Sequence, residues 1–261
     1  MVVDKRYREH AVFAQLSKYA EFYDNLSFTV FGFSTPGTVS AVNIDSYVFL
    51  AIKGTLESIH VVLYQGRIND AYALLRKYYD SVIINVYTNL YLSDHVSLEN
   101  FVVEKINRWV EGKEKLPTYR EMIQYIRSSE RLARVNALLY ADDTYKKLRN
   151  RCNDHTHYNF YQYMLLNNDE IYLGNRLAVL DGFSKDLGDI FVMHFSYLFY
   201  LNGHYMMASD YIESLEVGLT PQEGSQYLVA PFVQAVFDNE IKVRRMDLAE
   251  EIKNATSMML K

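Results

Sequence analysis

Residues 148 to 157 read Leu-Arg-Asn-Arg-Cys-Asn-Asp-His-Thr-His, which places Arg149, Arg151, His155 and His157 within one short stretch. A guanidinium grips phosphate through a planar fork of donors. An imidazole moves protons near neutral pH. The two together are sufficient to cut a phosphodiester without a metal. A neutral histidine takes the proton of an attacking 2′-hydroxyl, and an arginine stabilises charge on the non-bridging oxygens. Two overlapping registers fit the same spacing, Arg149 to His155 and Arg151 to His157, and the spacing alone does not choose between them. Lys146 and Lys147 extend the basic run, so Lys146, Lys147, Arg149 and Arg151 are the candidate phosphate-binding set.

These groups need a scaffold, and the scaffold reads as helical. Ile52, Leu56, Ile59 and Leu63 recur at 4-3-4 spacing, and Gly66 stands where that helix would stop. A second helix starts near Asn69 and carries Ala71, Leu74, Leu75, Tyr78, Tyr79 and Val82, so an antiparallel hairpin is expected over roughly 45–92. A third helix is expected over 98–111, ending at Gly112. Thr118 followed by Glu121 predicts a capping box. Asp142 and Asp143 can cap the helix that carries Lys146 to Arg151. That helix either continues to Leu165 or restarts at Asn153 and Asp154. Residues 167–170 read as a turn. A long helix is expected over 183–208, another segment, 209–216, precedes the break at Gly218–Pro221, helices are expected over 225–241 and 244–258, and the stretch 28–43 reads as irregular or as a short strand pair. The fold class is therefore all-α: an up-down helical bundle on a long hairpin, with additional C-terminal helices. The expected division is 1–44, 45–166 and 167–261.

Composition bounds the chemistry. Apolar residues make up 49% of 261 positions, enough for a substantial core. The 23 tyrosines are read mainly as large packing rings, and only secondarily as platforms for bases. A net charge of −5 argues against non-specific nucleic-acid binding but leaves room for a local basic patch. Cys152 is the single cysteine, so no intramolecular disulfide can form and a reducing compartment is expected. Its neighbours Arg151, His155 and His157 would lower its pKa. The N-terminus lacks a signal-peptide core. The apolar run Ile190–Leu201 is too short for a bilayer, so a cytoplasmic protein with no membrane partner is expected. No Walker loop, Gly-x-Gly-x-x-Gly or Cys-x-x-Cys is present, and no cofactor or nucleotide motif is read.

The segment Leu148-Arg149-Asn150 through His155 resembles the Arg-polar-…-His signature of the HEPN superfamily of helical domains. The hairpin around Leu63–Arg67 and Ala73–Asp80 is similar to the paired long helices of that group. The resemblance spans about 45–166, and the C-terminal part looks like bacterial members of this kind. It implies a metal-independent endoribonuclease or defence component, working as a homodimer on RNA. Carried over by position, Arg149 would bind phosphate, Asn150 would orient it and His155 would act as base or acid, with Arg151 and His157 as alternates. The rival reading is a non-catalytic homodimeric helical interaction module. A third reading is a metal site in a bundle, either a Glu-x-x-His of Glu57 and His60 on one helix or, instead, a three-histidine site of His60, His194 and His204, although satisfied core histidines account for the same residues.

Overall fold

In a computed structural model of the chain, which describes residues 3–40, 42–167 and 175–261, the described residues form helices and turns without a strand. The helices in chain order are α1 Lys5–Arg8, α2 Ala11–Phe31, α3 Ile44–Tyr64, α4 Ile68–His95, α5 Glu104–Val110, α6 Tyr119–Ser128 and α7 Ala133–Leu139. There follow α8 Thr144–Thr156, α9 Tyr161–Leu165, α10 Arg176–Leu201, α11 Ser209–Glu216, α12 Pro231–Val236, α13 Lys242–Arg244 and α14 Met246–Ala255. The all-α class expected from periodicity is the class observed.

The hairpin of α3 and α4 follows directly from its sequence. Ile52, Leu56, Ile59 and Leu63 are all fully buried. Gly66 closes α3 at φ +82°, a left-handed conformation that costs glycine nothing. The Thr118–Glu121 capping box is present at the start of α6. Several boundaries differ, among them the helix expected over 225–241, which begins at Pro231, and the one expected over 244–258, which is Met246–Ala255; three more differ as follows. The helix expected over 98–111 begins only at Glu104, because Ser97 and Asn100 close a turn on each other's backbone and Leu98 lies out in solvent. The helix expected over 183–208 runs earlier, Arg176–Leu201, started by Asn175, whose Oδ1 accepts the Ala178 N–H at 3.3 Å. Residues 28–31 belong to α2 rather than to an irregular stretch. Most of the turn expected over 167–170 lies outside the described residues.

The chain packs as two compact units, each assembled from separated stretches. Unit 1 takes 1–24, 47–82 and 142–191; unit 2 takes 25–46, 83–141 and 192–261. Unit 1 is packed through rings. Tyr19 stacks on Phe191 at 3.8 Å, the Tyr23 and Tyr78 hydroxyls share a hydrogen bond at 2.8 Å, and the Tyr7 hydroxyl donates to the Leu63 carbonyl at 2.7 Å. Such rings bury large area, and each hydroxyl then needs a partner. Unit 2 buries Ile106, Ile126, Val135, Val233, Ile241, Leu248 and Ile252, and the Tyr197 hydroxyl donates to Asn136 Oδ1 at 2.5 Å. Among the described residues, one helix, α3, is long and apolar enough to cross a membrane by length and composition, a criterion that core helices of soluble proteins also meet.

Candidate functional site: the Arg/His helix and a buried amide network

Helix α8 carries the Arg/His segment in unit 1. It starts where Asp142 Oδ1 accepts the Thr144 N–H at 2.8 Å; the neighbouring Asp143 makes no side-chain cap. It runs through Asn153 and Asp154 without restarting, ends at Thr156, and Tyr158 then turns the chain at φ +50°. Asp154 Oδ1 accepts from Asn159 Nδ2 at 2.7 Å, so it ties down the end of this helix.

The seam that α8 buries is Tyr145, Leu148, Cys152 and His155, a 3-4-3 spacing that places all four on one face. His155 is thus a core residue with 4% of its surface exposed. Its ring lies between Tyr72 (centroids 3.9 Å apart, planes 8° apart) and Tyr163 (4.1 Å). Its Nδ1 is 2.8 Å from Asn69 Oδ1. Since that amide oxygen only accepts, Nδ1 carries the proton. Asn69 is fixed in turn, its Nδ2 donating to the Tyr163 carbonyl at 2.6 Å. Burial pushes the His155 imidazole down to about 4, with Arg151 adding to the shift and Asp154 opposing it.

The arginines are bound to carboxylates from other helices. Arg149 donates through Nη1 to Asp80 Oδ1 at 2.9 Å, and Arg76 reaches the other oxygen of Asp80 at 3.3 Å. Burial raises the Asp80 pKa, and the two guanidiniums counter it. Arg151 forks onto both oxygens of Asp186, at 2.8 and 2.5 Å. Asp186 is fully buried, and the hydrogen bond it accepts raises the Arg151 pKa. Asn150, Lys146, Lys147 and His157 face solvent. Arg149, Asn150 and His155 are therefore not gathered at one surface: Arg149 is half-buried on Asp80, Asn150 is outward and His155 is inward. In the other register Arg151 is held by Asp186, while His157 stands outside the helix end. Cys152 departs from expectation, since burial pushes its thiol up to about 12 and the Asp186 charge adds to the effect.

The metal-ligand constellation is not assembled. His60 stacks on Tyr64 and meets the edge of Phe13, and Glu57 pairs with Lys53 at 3.8 Å, all within unit 1. His194 and His204 belong to unit 2. Among the described residues no group of three His, Cys, Asp or Glu side chains is placed to hold a metal ion.

Unit 2 contains a constellation that the sequence reading passed over. Asp45, fully buried, accepts from Asn85 Nδ2 at 2.7 Å, Asn89 Nδ2 at 3.0 Å and the Tyr205 hydroxyl at 2.9 Å. Desolvation pushes its carboxyl up to about 6 against those three hydrogen bonds. Asn85 Oδ1 accepts from His194 Nε2 at 2.9 Å, and burial alone pushes His194 down to about 3. Asn202 Nδ2 donates to Asn89 Oδ1 at 2.7 Å. A cavity of about 350 Å³ adjoins these amides. The available sequence signal was a carboxylate at the start of an apolar helix and two asparagines four apart on another, Asn85 and Asn89.

No family model, curated protein or solved structure matches this chain.

Proposed function

We propose that the chain is a non-catalytic helical interaction module that acts as a homodimer, with its Arg/His segment serving as a brace inside unit 1. The observation that carries this reading is the position of His155: sandwiched between two tyrosine rings, neutral, and bonded to Asn69. A general base must reach the proton it removes, and this imidazole is shielded from any substrate. Both arginines of the candidate phosphate-binding set already hold carboxylates, and an RNA phosphate bound there would have to displace Asp80 or Asp186.

Support for self-association comes from α3. Its outward face presents Tyr47, Leu50, Val61 and Tyr64, with Gly54, Glu57 and Ser58 among them, and a Cβ built on Gly54 meets no atom within 4 Å. A largely apolar helix face with a small residue near its centre suits close approach of a second helix, here from a second copy of the chain.

Two measurements test the proposal. Light scattering on the full chain is expected to give twice the monomer mass of 30.5 kDa, reduced to one copy in Gly54→Arg. RNA incubated in excess chelator is expected to stay intact with wild type, His155→Ala and His157→Ala alike. Cleavage by wild type that is lost in one histidine variant would instead support the ribonuclease reading and identify its register.

A further inference from the structure

The cavity in unit 2 lies between the turn that follows α2, the last turns of α4 and the turn that follows α10. At about 350 Å³ it falls within the range of small-molecule sites. One side is aromatic. Phe33 and Tyr205 stack with centroids 5.8 Å apart and planes 20° apart, and His204 meets Phe33 edge-on at 5.2 Å. The lining also carries Asn89 and Asn202.

The orientation of those two amides is set by Asp45 beneath them. An ionised carboxylate accepts and never donates, so Asn89 must turn its nitrogen toward Asp45 and its oxygen away. That oxygen accepts one N–H of Asn202. The second N–H of Asn202 and its Oδ1 make no hydrogen bond to another described residue, and Asn202 lines the cavity. A fixed donor beside a fixed acceptor is the complement of a carboxamide or lactam edge. Thr35, also at the cavity, is locked by the same network: its Oγ1 sits 3.3 Å from Asn43 Oδ1 and accepts the Ile44 N–H at 3.0 Å.

None of the lining side chains is Lys, Arg, Asp or Glu, and desolvation lowers the His204 pKa, although the exposed Arg131 donates to the hydroxyl of the lining Ser93. The buried Asp45 behind the amides also disfavours an anion. We propose that this cavity binds a small, uncharged, planar molecule with a carboxamide or lactam edge, paired with Asn202 and packed against the Phe33 ring.

The test uses the full chain with three probes, benzamide, uracil and benzoate, titrated by saturation-transfer NMR. Benzamide or uracil is expected to bind with a dissociation constant of about 1 mM or tighter. Benzoate, similar in shape but charged, is expected to bind at least about tenfold more weakly. Asn202→Ala should weaken the amide probes about tenfold, because their polar edge loses its partner. Val96→Trp fills the cavity from its rim and should abolish binding while leaving helix content unchanged. The proposal is overturned if neither amide probe binds wild type, if benzoate binds as well as benzamide, or if amide binding survives V96W. Should N202A fail to fold, V96W and the benzoate comparison carry the decision.

Discussion

The two units handle buried polar groups in opposite ways. In unit 1 buried and half-buried charged side chains pair with one another: Arg151 closes on Asp186, and Arg149 and Arg76 close on Asp80. In unit 2 a single buried carboxylate is surrounded by neutral donors, and the polarity it imposes reaches a cavity through Asn89 and Asn202. Of the residues that look most reactive in the sequence, Arg149, Arg151 and His155 are thus committed to structure. The open hydrogen-bonding edge belongs to amides that carry no catalytic signature.

The largest effect that would separate the two units is expected at Arg151. Arg151→Ala strands the Asp186 carboxylate in the core, at a cost of about 3 kcal/mol in unfolding free energy, the low end for a buried pair because the guanidinium is partly exposed. Replacing both partners, Arg151→Met with Asp186→Leu, should restore most of that loss in urea denaturation. If the double variant is as unstable as the single one, the pair does more than balance charge.

Asp45→Leu comes next. It leaves the Asn85 and Asn89 amides and the Tyr205 hydroxyl without their acceptor, at a cost of about 2 kcal/mol. It also frees Asn89 and Asn202 to reorient, so binding of an amide probe should fall together with stability. Stability lost while binding is kept would uncouple the network from the cavity.

The effect of pH differs in sign between the groups. His155 and His194 have folded pKa values of about 4 and about 3 against an ordinary 6.5, so the unfolded chain takes up protons first. Their contribution is complete above about 6.5 and is lost as pH falls toward 4 and then 3. Asp45 behaves in reverse. Its folded value near 6 lies above its ordinary 3.8, so its contribution is complete below 3.8 and is lost as pH rises through 6. Unfolding free energy measured from pH 7 to pH 4 should therefore fall less steeply in His155→Gln or His194→Gln, and more steeply in Asp45→Asn. The smallest effect is at Lys146 and Lys147. Both are exposed, and Lys→Gln there should change neither stability nor probe binding.

Much of the fold was readable because its determinants are local. The 4-3-4 spacing from Ile52 to Leu63, the stop at Gly66 and the Thr118–Glu121 box each depend on residues within a few positions. The Arg/His segment was equally visible, but its environment was not. Asp80 lies 69 residues from Arg149, and Asp186 lies 35 residues from Arg151. Only tertiary packing brings them together. One local clue was available: Tyr145, Leu148, Cys152 and His155 share one helix face, which places the histidine with the core rather than with the lysines. The Asp45 network offered less to a reader of sequence, since asparagine, threonine and tyrosine form no motif and Asp45 is 160 residues from Tyr205.

The protonation of His155 tests the central claim most directly. In an NMR titration of imidazole-labelled protein, His155 should remain neutral with its proton on Nδ1 down to a midpoint of about 4. A midpoint at or above the ordinary 6.5, with the ring exchanging between tautomers, would mean that this histidine is exposed and available for chemistry, and would contradict the brace.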